Sequence, residues 1–581
     1  MFRQIKKLWN YLPKRRQGQF WMLLMLMLFS SLIEIVSLGS VLPFLGILTS
    51  PDIVYSNELL QPVIKVFNIN NSNELVLPLT IIFILAAIIA GFTRIILLYV
   101  MTRFSFAAGA DMSIDIYRRT LYQDYAVHVR RSSSEIINGV ITKTNAVVGG
   151  VFSSSLVLIN SIVLLMAVSV TLFFIDALIA ISVFIGFGFL YGLVIRYTRQ
   201  QINENSKCIA VESTHMIKAL QEGLGGIRDI LIDGSQQFYC KLYRNADAPF
   251  RRASANNAFI GGSPRFLMET VGMVLIATLA YILSQKEGGI VTSIPVLGAL
   301  ALGAQRLLPA LQQAYKSYSG IKGAQYSFDD VLNLLEQPLP KHANELQPIP
   351  VLFEKAIYLK NISYQYTNKT PLVIKNASLV INKGKRVGFI GATGSGKSTL
   401  LDIVMGLLIP TKGAMYIDSQ EITKENYRSW QTHIAHVPQN IYLSDSSIEE
   451  NIAFGVSPSQ IDYNLVKKAA KQAQISELIE EWPEQYKAFV GERGIRLSGG
   501  QRQRIGIARA LYKQADVLIF DEATSALDNE TEFAVMEAIE NLERDLTILI
   551  IAHRLSTLKG CDQVIELSKN GLSIREYEEI K

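Results

Sequence analysis

Two hydrophobic patterns divide this chain. Up to about residue 320 the sequence runs in long, nearly unbroken apolar stretches; after about residue 350 it breaks into short strand-like runs and amphipathic helical segments. Crossing the hydrocarbon core of a bilayer as a helix takes roughly 20 apolar residues. Six stretches are long enough, at about 20–48, 77–101, 147–174, 176–197, 264–285 and 291–315. The pattern therefore predicts an all-α transmembrane domain of six helices over 20–336. A proline-gathering linker follows at 337–351, and the alternation of strand and helix over 352–581 predicts an α/β domain. In the leading segment 1–19, Trp9 and Tyr11 sit among Arg3, Lys6, Lys7, Lys14, Arg15 and Arg16. That combination predicts an interfacial helix on the cytoplasmic surface, and no small-residue cleavage site marks a signal peptide.

Charge orients the spans. The connection between spans two and three carries Arg103, Arg118, Arg119, Arg130, Arg131 and Lys143. The next long one holds Arg196, Arg199, Lys207, Lys218, Arg228, Lys241, Arg244, Arg251 and Arg252. Residues 49–76 hold only Lys65 against Asp52, Glu58 and Glu74. Cytoplasmic loops carry the excess of lysine and arginine, so both termini and the α/β domain are expected in the cytoplasm. The formal net charge of +6 is accounted for by this bias and calls for no nucleic-acid partner. Cys208, Cys240 and Cys561 show no paired spacing for a metal or redox site.

Candidate chemistry lies in the second half. Residues 391–399 read GATGSGKST, with Gly391, Gly396, Lys397 and Ser398 in the positions of a phosphate-binding loop. A short apolar run, 386–390, precedes it and a helical pattern, 398–408, follows. Glycines let backbone N–H groups converge on phosphate oxygens, and the helix N-terminus adds its dipole. More than a hundred residues on, 497–501 read LSGGQ, followed by RQRIGIARAL. These motifs resemble the ABC ATPases, and with the membrane half the chain resembles half-size ABC exporters with a fused P-loop ATPase domain.

The resemblance implies ATP and Mg²⁺ as cofactors and a role for each matching residue. Thr393, Gly394, Ser395 and Thr399 complete the phosphate loop. Asp521, at the end of the apolar run 517–520, matches the Mg²⁺-holding carboxylate, assisted by Ser398 and Gln439. Glu522 matches the general base, and Gln439 in HVPQN the loop that also reports to the membrane domain. His553 in IIAHRLST matches the switch histidine at the γ-phosphate. Tyr366 is similar to the aromatic residue that stacks on adenine, although Tyr364 lies two residues away. Ser498, Gly499, Gly500 and Gln501 would face a partner's phosphate loop, and residues 525–528 would cross between paired sites. Six spans and one ATPase make half a transporter, so a homodimer is implied. The long basic connections are similar to loops whose tips, near 122–134 and 233–243, dock on the ATPase.

Charges inside the spans bear on the cargo. Glu34, Arg94, Glu269 and Arg306 interrupt apolar stretches, and Arg265 is expected at the interface. Such residues usually face a cavity or each other. Pairing Glu34 with one arginine would leave a guanidinium over, well matched to phosphate oxygens. IEIVSLGSVLPF at 33–44, Arg94 in FTRIILLY, and RLLP at 306–309 resemble the bacterial flippases of lipid-linked oligosaccharides, the PglK type. Residues 51–68 are similar to that family's external helix, which implies contact with a polyprenyl tail and with membrane lipid. One departure is Gln313, where the family carries a further arginine. The function put first is ATP-driven flipping of a polyprenyl-diphosphate-linked glycan across the cytoplasmic (inner) membrane. A general lipid or hydrophobic-drug exporter is the alternative. A peptide exporter ranks lower, because no protease-like domain precedes the first span.

Overall fold

The computed structural model describes residues 2–49, 55, 71–175, 177–284, 289–344, 348–367, 369–522, 529–540, 546–552, 558–568 and 571–575. The predicted external helix at 51–68, apart from Tyr55, lies outside them, as do His553 and residues 525–528. The chain divides into two compact units: Met1–Gln123 with Arg131–Leu339, and Asp124–Arg130 with Pro340–Lys581.

The first unit is helical. It comprises α1 (Phe2–Tyr11), α2 (Lys14–Gly39), α3 (Val76–Leu121), a third long run ending in α4 (Ser154–Ile175), α5 (Ala177–Gly225), α6 (Gln236–Gly262), α7 (Pro264–Ser284), α8 (Gly289–Gly323) and α9 (Gln325–Leu335). Among the described residues, three stretches are long and apolar enough to cross a membrane: Lys14–Leu48, Val76–Leu121 and Ser133–Phe173. The other three predicted spans fall on α5, α7 and α8. Several helices outrun their apolar segments. At 46 and 49 residues, α3 and α5 are each roughly 70 Å long, more than twice the hydrocarbon thickness.

The amphipathic leader does more than the sequence predicts. Leu8 of α1 is buried in a cluster with Phe328, Val331, Leu332 and Leu335 of α9. Gln4 donates to Asp329, and Lys7 pairs with Glu336 at 2.6 Å. Part of the apolar face that could lie on lipid instead covers a protein core.

The third long run carries two π-helical stretches, Asn138–Lys143 and Val148–Ser153. At Gly150 a Cβ would stand 2.6 Å from the Cβ of Ala324 and 3.2 Å from the carbonyl oxygen of Gly320. Only glycine permits that approach between the third run and α8.

The second unit is α/β. A six-stranded sheet runs in the order β10-β9-β3-β8-β7-β6, and a four-stranded antiparallel sheet in the order β2-β1-β4-β5. The strands are β1 (Ala356–Tyr364), β2 (Ile374–Asn382), β3 (Arg386–Ile390), β4 (Lys412–Ile417), β5 (Gln420–Ile422), β6 (Ile434–Val437), β7 (Val517–Asp521), β8 (Thr547–Ile551), β9 (Gln563–Ser568) and β10 (Gly571–Arg575). From β9 through β3, β8 and β7 to β6 every pairing is parallel. That gathers the C-terminal ends of β3, β6 and β7 on one edge, the usual ligand edge of such sheets. Being covered on both faces, β7 and β8 are almost continuously apolar. Asp124–Arg130, inside the first predicted loop tip, belongs to this unit: Ala126 packs on its core, and Asp124 stands 3.6 Å from Lys424.

Candidate ATP site and membrane cavity

The phosphate loop joins β3 to α10 (Lys397–Val404). Gly391 has φ +144°, and a Cβ there would lie 2.3 Å from the carbonyl oxygen of Leu567. Gly394 and Gly396 have φ +80° and +101°, conformations that L side chains rarely adopt. The three glycines hold the loop open around α10's N-terminus. Lys397, 7% exposed, folds back so that Nζ donates to the carbonyl oxygens of Gly391 at 2.7 Å and Ala392 at 3.3 Å. Those bonds park the ammonium inside the loop. The Ser395 hydroxyl is buried without a hydrogen-bond partner, and Thr393, Gly394 and Ser398 are exposed. A buried hydroxyl without a partner beside open N–H groups fits an anion with several acceptor oxygens.

Two carboxylates arrive at the end of β7. Asp521 closes the strand, and Glu522 follows with φ +51°, a left-handed conformation that costs a non-glycine residue roughly 1–3 kcal/mol. Gln439, two residues beyond β6, donates from Nε2 to Glu522 Oε2 at 2.7 Å. Asp402, on α10, went unnoticed in the sequence. Burial, reinforced by the charge of Asp521, pushes its carboxyl up to about 6. The signal was its place one helical turn after Ser398.

The two tyrosines near the loop differ in burial. Tyr364 is buried in the core at 5% exposure. Tyr366 is half-buried, meets the Tyr364 ring edge-on at 5.2 Å, and shares a 3.0 Å hydrogen bond with the Thr399 hydroxyl.

The LSGGQ residues begin α11 (Gly499–Tyr512). Ser498 caps it reciprocally: its N–H donates to Gln501 Oε1 at 2.8 Å, and the Gln501 N–H donates to Ser498 Oγ at 3.2 Å. Ser498 and Gly499 are exposed while Leu497 is buried, so leucine anchors a helix N-terminus open to solvent.

In the helical unit, Glu34 of α2 holds both predicted arginines. Arg94 of α3 donates from Nε at 3.0 Å and also pairs through Nη2, and Arg306 Nε of α8 lies 3.1 Å away. Glu34 is 2% exposed; the arginines are 37% and 38% exposed. Both line a cavity of about 890 Å³, together with Gln313, the position of the predicted departure. Glu269 instead pairs along α7 with Arg265, at 2.7 Å. Two guanidiniums on one carboxylate leave one positive charge in excess at the cavity wall.

Two family models match: an ABC transporter transmembrane region at residues 53–288 and an ABC transporter model at 374–525. The chain is 30% identical over 466 residues to an ATP-dependent lipid A-core flippase of Francisella novicida, covering 78% of this chain and 76% of that one. The chain belongs to the ABC transporter family. It is also 26% identical over 493 residues to the ATP-dependent lipid A-core flippase of Cupriavidus metallidurans, covering 83% and 81% of the two chains. A bacterial Atm1-family ABC exporter solved with ATP bound shares the fold, with a TM-score of 0.78 at 20% identity over 98% of this chain and 96% of that one.

The transporter thus joins a helical membrane domain to an α/β domain that binds and hydrolyses ATP to drive transport. Phosphoryl transfer demands mostly positioning and charge neutralisation, and a loop of N–H groups, one lysine and two consecutive carboxylates at the end of β7 meet that demand. Ser398, Asp521 and Gln439 offer hydroxyl, carboxylate and amide oxygens, a donor set suited to a Mg²⁺ that shares phosphate oxygens and water.

Proposed function

We propose that this transporter flips an amphiphile with a phosphorylated head across the cytoplasmic membrane, most specifically a polyprenyl-diphosphate-linked oligosaccharide. The observation that carries the reading is the Glu34–Arg94–Arg306 cluster on the wall of the 890 Å³ cavity. Guanidinium forks match phosphate oxygens, and the shared carboxylate keeps both side chains in place without cancelling their charge. The names of the relatives support a second cargo of the same chemistry, a lipid A-core, whose head is also a phosphorylated saccharide.

In this reading two identical subunits work together, with both termini and the ATPase domains in the cytoplasm. Each ATP lies between Lys397 and the phosphate loop of one copy and Ser498, Gly499, Gly500 and Gln501 of the other. Tyr366 stacks on adenine, Mg²⁺ is held by Ser398, Asp521 and Gln439, and Glu522 takes the proton from the attacking water. Lys397 exchanges its loop carbonyls for β- and γ-phosphate oxygens. The Gln439–Glu522 hydrogen bond keeps the base oriented before water arrives and couples its position to the loop that follows β6. His553 acts at the γ-phosphate.

ATP-dependent translocation in proteoliposomes tests the cargo. Polyprenyl-diphosphate glycan, lipid A-core, a neutral phospholipid and a cationic dye are compared. Transport of either phosphorylated saccharolipid, with Arg94→Gln and Arg306→Gln losing it, is the expected outcome. Equal transport of the dye or the neutral lipid would make this a general exporter.

A further inference from the structure

A second cleft, of about 490 Å³, opens in the helical unit between the third long run, α5 and α9. It shares no lining residue with the cavity of Arg94 and Arg306. Its wall is drawn from 131–143, ahead of the predicted span 147–174, from 207–215, after the span 176–197, and from 326–334, beyond the last span. All three segments lie past the apolar stretches, on the side expected in the cytoplasm from the basic connections. A ligand here is met from water, not from lipid.

The backbone is shaped at this cleft. The π-helical stretch Asn138–Lys143 supplies Gly139 and Lys143 to its wall, and π turns inside longer helices are frequent at functional sites. A Cβ at Gly139 would stand 2.5 Å from Leu334 Cδ1, so glycine lets α9 close one side. Buried Asn138 donates to the hydroxyls of Ser213 at 2.9 Å and Thr214 at 2.8 Å, which fixes the π turn to α5. Lys143, 11% exposed, is held by Asp330 at 2.5 Å, and its ammonium has two further protons to give. Arg131 and Lys207 stand on the same cleft. Among the described residues no hydrogen bond or ion pair engages their side chains, nor those of Glu135, Tyr326 and Asn333. A solvated surface would account for Arg131 and Lys207 alone. It does not account for a lysine sunk into the wall beside them, or for the π turn that carries it.

We propose that this cleft binds a small water-soluble phosphate ester with a hydroxyl-bearing body. Arg131, Lys143 and Lys207 outnumber the carboxylates of Glu135 and Asp330 on the wall. A phosphate monoester offers three terminal oxygens, one more than a carboxylate, and the three cations supply charge-assisted donors to them. Glu135 accepts from hydroxyls and Asn333 both accepts and donates, while Ile136, Val211 and the Tyr326 ring cover the apolar face of the body. The volume is that of a small-molecule site. Bound there, the ester ties the third run and α5 to α9 and stabilises the helical unit.

The test uses the full-length transporter in nanodiscs, with a saturating non-hydrolysable MgATP analogue filling the phosphate loop. Titration calorimetry compares glucose 6-phosphate, AMP, glucose and inorganic phosphate. Wild type should bind at least one ester about tenfold more tightly than glucose or inorganic phosphate, the worth of one charge-assisted hydrogen bond. The tighter of the two esters tells a sugar phosphate from a nucleotide. Arg131→Gln with Lys207→Gln should weaken that ester at least about tenfold, while Arg94→Gln leaves it within about twofold. Glu135→Ala should weaken the ester yet bind inorganic phosphate no less tightly, a split that a misfolded protein would not give. Failure of both esters to bind wild type would overturn the proposal. So would binding that the double variant leaves unchanged, or inorganic phosphate held as tightly as the esters. Weakening by Arg94→Gln would place the ester in the membrane cavity and overturn it equally.

Discussion

The ATP site and the membrane cavity are built on opposite principles. In the ATP site backbone does most of the positioning: three glycines with positive φ open the loop, a helix N-terminus closes it, and the end of β7 delivers two carboxylates. In the cavity, side chains on regular helices do everything, and one carboxylate organises two arginines. A site made of backbone tolerates few residues at each position and is conspicuous. A site made of side chains on helices can be re-specified one residue at a time.

The sharpest way to break this contrast is at the base. Glu522→Gln keeps the shape but cannot take a proton, so steady-state ATPase should fall about a hundredfold or more while MgATP still binds. Lys397→Ala should fail earlier, at nucleotide affinity, because the phosphate charge is left uncountered. Near-normal turnover in the first variant, or normal ATP affinity in the second, would remove these residues from their roles. A mixed dimer, with Ser498→Arg in one subunit and Lys397→Ala in the other, concentrates both lesions in one composite site. It should keep measurable activity while both parent homodimers are inactive. A mixed dimer as dead as its parents would count against the composite site or show that two working sites are required.

The cavity should respond in the opposite sense. Arg94→Gln with Arg306→Gln should lower transport of a phosphorylated lipid at least tenfold, with basal ATPase within about twofold of wild type, because only the cargo charge is lost. Glu34→Gln should act on stability instead, by leaving two guanidiniums without their shared counter-charge. Breaking a buried pair costs about 3–5 kcal/mol, and the low end applies because both arginines are more than a third exposed. If the double arginine variant flips its cargo normally, the cavity charge has a purely structural role.

The same contrast explains what was legible in the sequence. Gly391, Gly396, Lys397 and the LSGGQ run were visible because their geometry excludes other residues. The strand over Arg386–Ile390 matches its prediction residue for residue, since an apolar run between turn signals has few alternatives. Asp402 was missed because a carboxylate on an amphipathic helix reads as ordinary surface until the fold sets Asp521 beside it. Glu34 was visible as a charge in a span, but its hold on both arginines depends on how three helices are rotated. The face of α1 was legible as apolar, yet periodicity is the same whether such a face meets lipid or the Phe328 cluster.

The smallest expected effect concerns the sheet behind the ATP site. His436 on β6 is half-buried, with its Nε2 shut off from solvent and lacking a hydrogen-bond partner, and burial holds its imidazole down at about 4. The unfolded chain takes up that proton near pH 6.5, the folded chain only near pH 4. Between those values the unfolded state binds more protons, so stability falls as the pH drops. Above pH 6.5 the histidine is neutral in both states and contributes no slope. The full shift corresponds to at most about 3 kcal/mol, spent across the window from pH 6.5 to 4. His436→Leu should flatten the decline in thermal unfolding temperature of the ATPase domain across that window, with only a small offset at pH 7.5. An unchanged pH slope in the variant would mean that other groups govern acid sensitivity. The backbone-built region would then owe none of its pH response to the half-buried histidine of β6.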